Sequence, residues 1–442
     1  MNRAIMAVGV VVSLTLAGCT VHPQGESEER QAALKAGHGY ERPFAKRDIP
    51  PLPQRPTPDD LVRYALLTNA DLEQQYWQWR AAIEQVPMDG TQATSLAISV
   101  GTTLNEGAFE NDRTMLTAGN DPMTDISFPG KLSAAAQRAL DNARAAGHRF
   151  RKAQFELRKK VLDTYDDYAF NAEMIRLGRE NLQLLQIAAT ITQVRNRTGL
   201  GGQQDVLRAH DEADLALNDI ENLQSQLPIQ QAALNALLSR SPMAAIPVPD
   251  SLPPPRTVAS SDRYILDLAA KANPELTALS AEIRARHEDI QLARLQYYPD
   301  FDVAASTDLK GIAQTLLGQF TVPILRYEAI AAAVAQAQDN LRAAEAMRRQ
   351  TGHDLAAQLV DDIAALHDAD RQLDLLQHTI LPRAREAVSF ERMAYQTGSA
   401  SLLDLLDGQR SLIGIERLAT TLQITRDKSL VDIESIDARG LE

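Results

Sequence analysis

Two long parts of the chain carry apolar residues at helical spacing and contain almost no proline. No proline occurs between Gly130 and Leu227, and Pro382 is the only proline between Ile324 and Glu442. A proline inside a helix kinks or breaks it, so both parts can form very long helices. Apolar residues recur there every 3.5 residues on average, which predicts coiled-coil seams that supercoil left-handedly. The seam residues are Leu177, Leu184, Ile187, Ile191 and Val194; Ala216, Ile220, Leu223, Leu227, Leu234 and Leu237; and Leu355, Leu359, Leu366, Ala369, Leu373, Leu376 and Ile380.

One glycine interrupts each long helical part. Gly199 and Gly398 read as turns, which predicts one helical hairpin over about residues 130–240 and another over about 327–436. The stretch from residue 130 to residue 198 has about 69 residues, which at 1.5 Å per residue is on the order of 100 Å. A globular domain cannot hold a helix of that length, whereas a rod or a tunnel can.

A different pattern precedes each helical hairpin. Apolar and small or polar residues alternate over 95–104 and again over 301–310, which predicts strand hairpins at about 92–128 and 300–323. This alternation is typical of a strand with one face in lipid and one in water, although a soluble, half-buried hairpin has the same pattern. Four strands cannot close a membrane barrel, for which eight is the usual minimum. If the strands lie in the membrane, the chain must oligomerise.

The chain contains a long internal repeat. Asn69 aligns with Asn273 at an offset of 204, and Gly199 aligns with Gly398 at an offset of 199, each with several matching neighbours. The sequence therefore predicts a tandem duplication, with a first repeat at 60–255 and a second at 256–442.

The first residues read as a secretion signal. Residues 1–18 combine Arg3 with a short apolar segment, too short for a permanent membrane span, and end at the run Leu-Ala-Gly before Cys19. This run resembles the bacterial lipobox, in which the cysteine becomes acylated. Thr20 follows the cysteine, in place of the aspartate that tends to retain lipoproteins in the inner membrane. The resemblance therefore implies a location in the outer membrane. The alternative is an ordinary signal peptide with a chance cysteine. The proline-rich segment 19–59 is predicted to be extended.

Composition and charge narrow the class of protein. The 442 residues carry a formal net charge of −13, whereas general nucleic-acid binders are normally basic. No apolar run of about 18 residues lies beyond the N-terminus, which excludes a multi-helix inner-membrane protein. A single cysteine, Cys19, excludes disulfide scaffolds and thiolate metal clusters.

Signatures of enzymes and metal sites are missing from the sequence. There is no Gly-x-x-x-x-Gly-Lys phosphate loop and no Gly-x-Ser-x-Gly motif. The eight histidines have no pairing at metal-ligand spacing, and His367 and His378, although close to acids, are interpreted as solvated helix residues. The sequence therefore predicts no enzyme activity, no cofactor and no metal site.

Several motifs in order resemble one family. They are the lipobox, the duplicated halves, Asn-Pro-Glu-Leu at 273–276, Tyr-Pro-Asp-Phe at 298–301, Phe-Pro-Gly-Lys at 128–131, and Thr-Gly with an aspartate six residues after the glycine in both halves. Residues 60–435 thereby resemble the TolC-type outer-membrane efflux proteins. The resemblance implies an α+β membrane protein: a homotrimer in which each chain gives four strands to a β-barrel, continued by a long α-helical coiled-coil barrel. It also implies an outer-membrane location with a palmitate-type lipid anchor at Cys19.

The same resemblance implies a passive exit duct of a tripartite efflux system. Its partners would be a periplasmic adaptor protein, an inner-membrane pump and outer-membrane lipid, and its cargo small molecules or metal ions. The Phe-Pro-Gly-Lys motif resembles the heavy-metal branch. The alternative is a non-conducting periplasmic coiled-coil lipoprotein that acts as a scaffold or spacer.

The resemblance also assigns roles at the tips of the helical hairpins. The turns at Gly199 and Gly398 would contact the adaptor, and Asp404 and Asp407 would ring the narrowest part of the tunnel. The two aspartates are three residues apart, so they share one helix face. Alternatively, they only complement the positive end of the helix that begins near Ser401.

Gate-closing contacts are implied at Asp205 and Tyr395. Some family members carry an arginine two residues after the second glycine, but this chain has Ala400 there. Arg197 and Arg392 are the candidates to replace that arginine.

Overall fold

The computed structural model describes residues 20–91, 94–105, 108–120, 130–253, 261–308, 314–321 and 326–438. The predicted signal peptide, Cys19 and the Phe-Pro pair at 128–129 lie outside these residues. The helices are α1 Glu26–Ala36, α2 Pro58–Thr68, α3 Ala70–Gly90, α4 Lys131–Arg197, α5 Gln203–Leu237, α6 Asp262–Ala272, α7 Pro274–Leu295, α8 Tyr327–Leu375, α9 Leu381–Thr397 and α10 Leu402–Asp437. The strands are β1 Thr94–Asn105, β2 Ala108–Asn120, β3 Asp300–Asp308 and β4 Gln314–Thr321.

Long helices dominate the described residues, as the scarcity of proline predicts. Helix α4 runs for 67 residues without a break. A π-helical turn at Leu376–Ile380, followed by Pro382 at the start of α9, separates α8 from α9. Over the described ranges, no helix combines the length and the apolar composition needed to cross a membrane.

The four strands form one antiparallel sheet in the order β1-β2-β3-β4. Thr94 lies opposite Asn120 in the first hairpin, and Asp300 lies opposite Thr321 in the second. Pairing of β2 with β3 joins the two hairpins, with Met115 opposite Asp308. The sheet therefore combines one hairpin from each predicted repeat.

The chain divides into two compact units. The sheet unit comprises the described parts of Met1–His38, Gln74–Phe150 and Pro274–Thr351, and the helical unit comprises Gly39–Glu73, Arg151–Asn273 and the described part of Gly352–Glu442. Each unit takes segments from both predicted repeats.

An aromatic cluster holds the N-terminal helix in the sheet unit. Phe150 stacks on Trp79 with ring centroids 5.6 Å apart and meets Tyr76 edge-on at 6.0 Å. Gly147 allows this packing, since a Cβ there would lie 2.7 Å from the Trp79 ring. The indole N–H of Trp79 donates a 2.8 Å hydrogen bond to Glu29 of α1, and burial raises the pKa of that carboxyl group.

Two of the family motifs meet in the sheet unit. Lys131, at the end of Phe-Pro-Gly-Lys, donates 2.7 Å hydrogen bonds to both carboxylate oxygens of Asp300 from Tyr-Pro-Asp-Phe. Both side chains are partly buried, which strengthens the ion pair relative to a fully exposed pair. The motifs therefore fasten the start of α4 to the start of β3.

One contact in the helical unit occurs once in each half of the chain. The side-chain amide of Asn69, at the end of α2, donates to the Leu237 carbonyl at 3.0 Å, and that of Asn273, at the end of α6, donates to the Ile436 carbonyl at 2.9 Å. The residues of the two pairs differ by the same offsets, 204 and 199, that align the sequence. The amides satisfy carbonyls at the ends of long helices, which otherwise lack partners.

Some of the predicted seam residues are buried and others are exposed. Leu359 and Leu366 in α8 and Ile220 in α5 are buried, in agreement with a seam. Ile187 and Val194 near the end of α4 are instead 40% and 55% exposed, although Ile191 between them packs against a buried cluster that includes residues of α5 and α10. The spacing of apolar residues predicts an apolar stripe on a helix, but it does not determine which helix packs against that stripe.

Candidate functional site

The two helical hairpins end in turns of the same construction. Gly199 has φ 74° and Gly398 has φ 84°, values that favour glycine because a Cβ crowds the backbone there. The N–H of Leu200 reaches the Arg195 carbonyl at 2.8 Å, and the N–H of Ser399 reaches the Ala394 carbonyl at 2.8 Å. This is the Schellman arrangement at a helix C-terminus.

A threonine precedes each glycine and adds to the cap. The Thr198 hydroxyl lies within hydrogen-bond distance of the Val194 and Arg195 carbonyls, and the Thr397 hydroxyl within that of the Met393 and Ala394 carbonyls. The repeated Thr-Gly pair therefore has one local function in both halves, which is to terminate a helix.

The second turn, unlike the first, is closed by a side-chain cap on the next helix. Ser401 accepts from the Asp404 N–H at 3.2 Å, and the Asp404 carboxylate accepts from the Ser401 N–H and hydroxyl at 2.9 and 2.8 Å. These bonds lower the pKa of Asp404, so its carboxylate stays ionised. Gly202, at the corresponding position before α5, offers no side-chain cap.

Asp407 is exposed and lies beside a cation of its own helix. Its carboxylate accepts a 3.4 Å hydrogen bond from Arg410, which also donates to Glu212 of α5. The side chain of Asp407 is 64% exposed. Arg410 therefore links the second hairpin to the first and partly neutralises Asp407.

Sequence reasoning did not identify a third acid beside this pair. Glu391 of α9 packs against Gly408 of α10, where an added Cβ would lie 1.6 Å from a carboxylate oxygen. Burial, together with the charges of Asp404 and Asp407, raises the pKa of Glu391. A glycine inside the helix was the only signal of this close approach.

Tyr395 is the centre of the contacts between the two hairpins. Its side chain is buried, and its hydroxyl lies 2.6 Å from the Thr192 hydroxyl on α4. The Thr192 hydroxyl itself donates to the Ala188 carbonyl at 2.8 Å, so the tyrosine is the donor of the shared bond. The Arg195 guanidinium lies 4.9 Å from the centre of the Tyr395 ring and donates to the Tyr395 carbonyl.

Arg195 also connects this contact to the first turn. Its second terminal nitrogen donates to the Leu200 carbonyl at 3.3 Å. One side chain thus joins the end of α4, the first turn and the end of α9. We call Thr192, Arg195 and Tyr395 the tip latch.

The arginine of the tip latch is not one that sequence reasoning nominated. Arg197 is exposed, and the Nε of Arg392 is buried without a hydrogen-bond partner among the described residues. Asp205 lies half-buried in the first turn of α5, where its charge complements the positive helix end. Arg195 stands three residues after Thr192, so both lie on one face of α4, and this spacing was the available signal.

Small residues bring α4 and α5 together next to the tip latch. Alanines of α4 and α5 allow close approach, and leucines of α10 fill the space between them. The buried cluster is Leu185, Ala188, Ala189, Ala209, Ala213, Tyr395, Leu402, Leu405 and Leu406. Throughout the described ranges, no group of three or more His, Cys, Asp or Glu side chains could hold a metal ion.

Several known proteins are similar to this chain in sequence and in fold. The family model described as outer membrane efflux protein matches residues 61–240 and 265–436. The pyoverdine export outer membrane protein OpmQ of Pseudomonas aeruginosa is 23% identical over 412 residues, covering 86% of this chain and 84% of OpmQ. The cation efflux system protein CusC of Escherichia coli O6:H1 is 21% identical over 391 residues, covering 84% of each chain.

A solved structure extends the similarity to the fold. The outer-membrane channel OprN has a TM-score of 0.75 at 17% identity and covers 91% of both chains. The family match spans both predicted repeats and confirms the prediction of an outer-membrane efflux duct, in preference to a coiled-coil scaffold. This chain belongs to the outer membrane efflux protein family.

Proposed function

We propose that three copies of this chain form a passive exit duct, in which each copy gives four strands to a twelve-stranded barrel. The observation that carries the proposal is the open sheet: β1 and β4 each have a single neighbour among the described strands. An unpaired edge in hydrocarbon leaves backbone groups without partners, and four strands are too few to close. Pairing β4 of one copy with β1 of the next removes every edge.

Exposed apolar residues on the helices support the same assembly. Ile187, Val194, Leu207 and Leu215 are 40–61% exposed along α4 and α5. Apolar stripes of this kind are covered when neighbouring helices supply the other side of a coiled-coil seam. The long helices of three copies would then enclose a water-filled tunnel through the periplasm, with no enzymatic step in the chain.

The proposed partners are a periplasmic adaptor protein and an inner-membrane pump. The turns at Gly199 and Gly398 are exposed, end both hairpins, and are the proposed adaptor contacts. Energy would come from the pump, since the chain lacks a phosphate-binding loop. Relatives named for pyoverdine export and for cation efflux support a cargo of small molecules or metal ions.

Asp404 and Asp407 are the proposed constriction. Three copies would bring six carboxylates towards one axis, and the lowered pKa of Asp404 supports a permanent negative charge there. A ring of acids raises the local concentration of cations. Arg410 and the caps at Ser401 offset part of the repulsion.

The tip latch is the proposed gate. Tyr395 and Arg195 tie the second hairpin to the first, and Arg410 with Glu212 adds a second tie between α10 and α5. Adaptor engagement would open the duct by separating the hairpins. Asp205, next to the first turn, is proposed to contact the neighbouring copy.

Lipid anchoring at Cys19 allows a direct test of the barrel. A Cys19→Ser variant is expected to remain in the outer-membrane fraction after washing with high salt or carbonate, because the strands hold it there independently of acyl chains. A scaffold tethered only by lipid would instead be released, since one or two acyl chains are its sole anchor. Immunoblots of the membrane and soluble fractions distinguish the two, with the wild-type protein as the reference; release of the variant would refute the barrel.

The second turn offers a test of the adaptor contact. Gly398→Leu is expected to abolish export while the trimer still forms and inserts, because a side chain at φ 84° costs about 1–2 kcal/mol and therefore distorts the turn that contacts the adaptor. Gly398→Asn is the matched control, since asparagine tolerates this conformation, and it should retain most export. Export is measured as resistance of cells to the cargo, and trimer content by unheated gel electrophoresis. Equal export by both variants and the wild type would argue against the contact.

A further inference from the structure

A cavity of ≈ 220 Å³ lies between α4, α5 and α10 in the helical unit. A second cavity of ≈ 220 Å³ adjoins it and is lined by Leu185 and Leu406 of the buried cluster next to the tip latch. The two cavities share Asn181, Ile413 and Arg417. The first has an apolar wall made of Met174, Leu177, Ile220, Leu223 and Ile413. Together the two cavities approach the size of a typical small-molecule site.

Two glycines shape this space. Gly178 brings α4 close to α5, since a Cβ there would lie 3.0 Å from Ile220. Gly414 of α10 lines the second cavity, and a Cβ there would meet no atom within 4 Å. Gly414 therefore borders open space at the second cavity, whereas α4 and α5 lie close together at Gly178.

Charges of opposite sign line the first cavity from the two hairpins. Asp219 projects from α5 and Arg417 from α10; both residues are exposed at the edge of the cavity, and neither forms an ion pair within the part of the chain described. Arg410, at the second cavity, is in contrast already paired with Glu212 and Asp407. The cavity thus offers one free acceptor and one free cation.

A buried amide adds an unfilled hydrogen-bonding position. Gln409 lines the second cavity at 3% exposure, and its side-chain oxygen has no hydrogen-bond partner among the described residues. A buried polar atom without a partner is costly, and rotation of the amide can present either a donor or an acceptor. A molecule that fills this space would therefore need hydrogen-bonding groups of its own.

We propose that this cavity binds a small zwitterionic molecule with an apolar body. Its ammonium group would pair with Asp219, its carboxylate with Arg417, and its apolar body would cover Met174, Leu177 and Leu223. A simple anion would leave Asp219 unpaired, and a simple cation would leave Arg417 unpaired. A bound zwitterion joins α5 to α10 and so adds a bridge between the two hairpins.

Calorimetric titration of the full-length protein in nonionic detergent tests the proposal. The probes are the dipeptide Phe-Leu, its N-acetyl form, which lacks the ammonium group, and its C-terminal amide, which lacks the carboxylate. Arg417→Gln is expected to weaken Phe-Leu and the N-acetyl form about tenfold and to leave the amide unchanged. Asp219→Asn is expected to weaken Phe-Leu and the amide and to leave the N-acetyl form unchanged.

A third variant fills the pocket without straining the helix. Gly414→Leu should weaken binding of all three probes, because Gly414 lines the second cavity, which shares Asn181, Ile413 and Arg417 with the first, and leucine also favours a helix. Arg383→Gln, an exposed arginine outside the cavity, is the control and should bind like wild type. Absence of Phe-Leu binding by the wild type at millimolar concentration overturns the proposal, as does binding that Gly414→Leu leaves intact. The measurement does not depend on export, so it can fail while the proposed duct stands.

Discussion

Replacing Arg195 with alanine is expected to raise the open probability of the duct about 10- to 100-fold in planar bilayers. The guanidinium donates to the Tyr395 and Leu200 carbonyls and lies over the Tyr395 ring. Hydrogen bonds from a charged group each contribute about 1.5–3 kcal/mol, and every 1.4 kcal/mol changes an equilibrium tenfold. The bond to Leu200 lies within the first hairpin and persists when the hairpins separate, whereas the bond to Tyr395 and the contact with its ring exist only in the closed state. Removing the Tyr395 contacts weakens the closed state alone, so the equilibrium moves towards the open state.

Two variants make this expectation specific. Arg197→Ala removes an exposed arginine two residues away and should leave conductance unchanged. Tyr395→Phe removes only the hydroxyl that donates to Thr192, so it should raise the open probability less, about 2- to 10-fold. If Arg197→Ala opened the duct as far as Arg195→Ala, the effect would be one of net charge, and the tip latch would be wrong.

The Arg195 contacts illustrate where sequence reasoning stops. The long helices, the turns at Gly199 and Gly398 and the strand positions follow from local rules: proline scarcity, a positive φ that needs glycine, and alternation. These rules act within a few residues. The partner of Tyr395 depends instead on the rotation of α4 against α9, which side-chain packing sets across 200 positions of the chain.

Asp404 shows a second limit of prediction from sequence, because its position fits two different roles. Its spacing after Gly398 matches a constriction, and its spacing after Ser401 matches a helix cap. The hydrogen bonds with Ser401 establish the cap. A carboxylate used in a cap keeps its charge, so the cap also supports the proposed role at the axis.

The second large effect is expected on the stability of the helical unit, at a group of partly buried carboxylates. Asp163 of α4 and Asp362 of α8 each have a buried oxygen without a hydrogen-bond partner within the described ranges. Burial, together with the charge of Asp432, raises the pKa of each to about 6. Lys159 is paired with Asp432 and therefore compensates only part of the negative charge.

The neighbouring charges do not neutralise the excess negative charge around Asp163 and Asp362. Lys428 forms a 2.6 Å ion pair with Asp167, and Asp361 adds a further negative charge beside Asp362. Between pH 4 and 6 the folded protein therefore binds more protons at these sites than the unfolded chain does. Stability contributed by the raised pKa values is present below about pH 4 and is lost as the pH rises through about 6.

Asp163→Asn is accordingly expected to stabilise the helical unit at pH 7.5 and to lose this advantage as the pH falls towards 4. The substitution removes a charge that burial disfavours, and the expected gain is about 1–2 kcal/mol after allowance for solvent screening, or about 2–6 °C in unfolding temperature. Circular dichroism melts at several pH values measure it, with Asp211→Asn, an exposed carboxylate of α5, as the control. A gain that does not depend on pH would show that packing, not the charge of Asp163, is responsible.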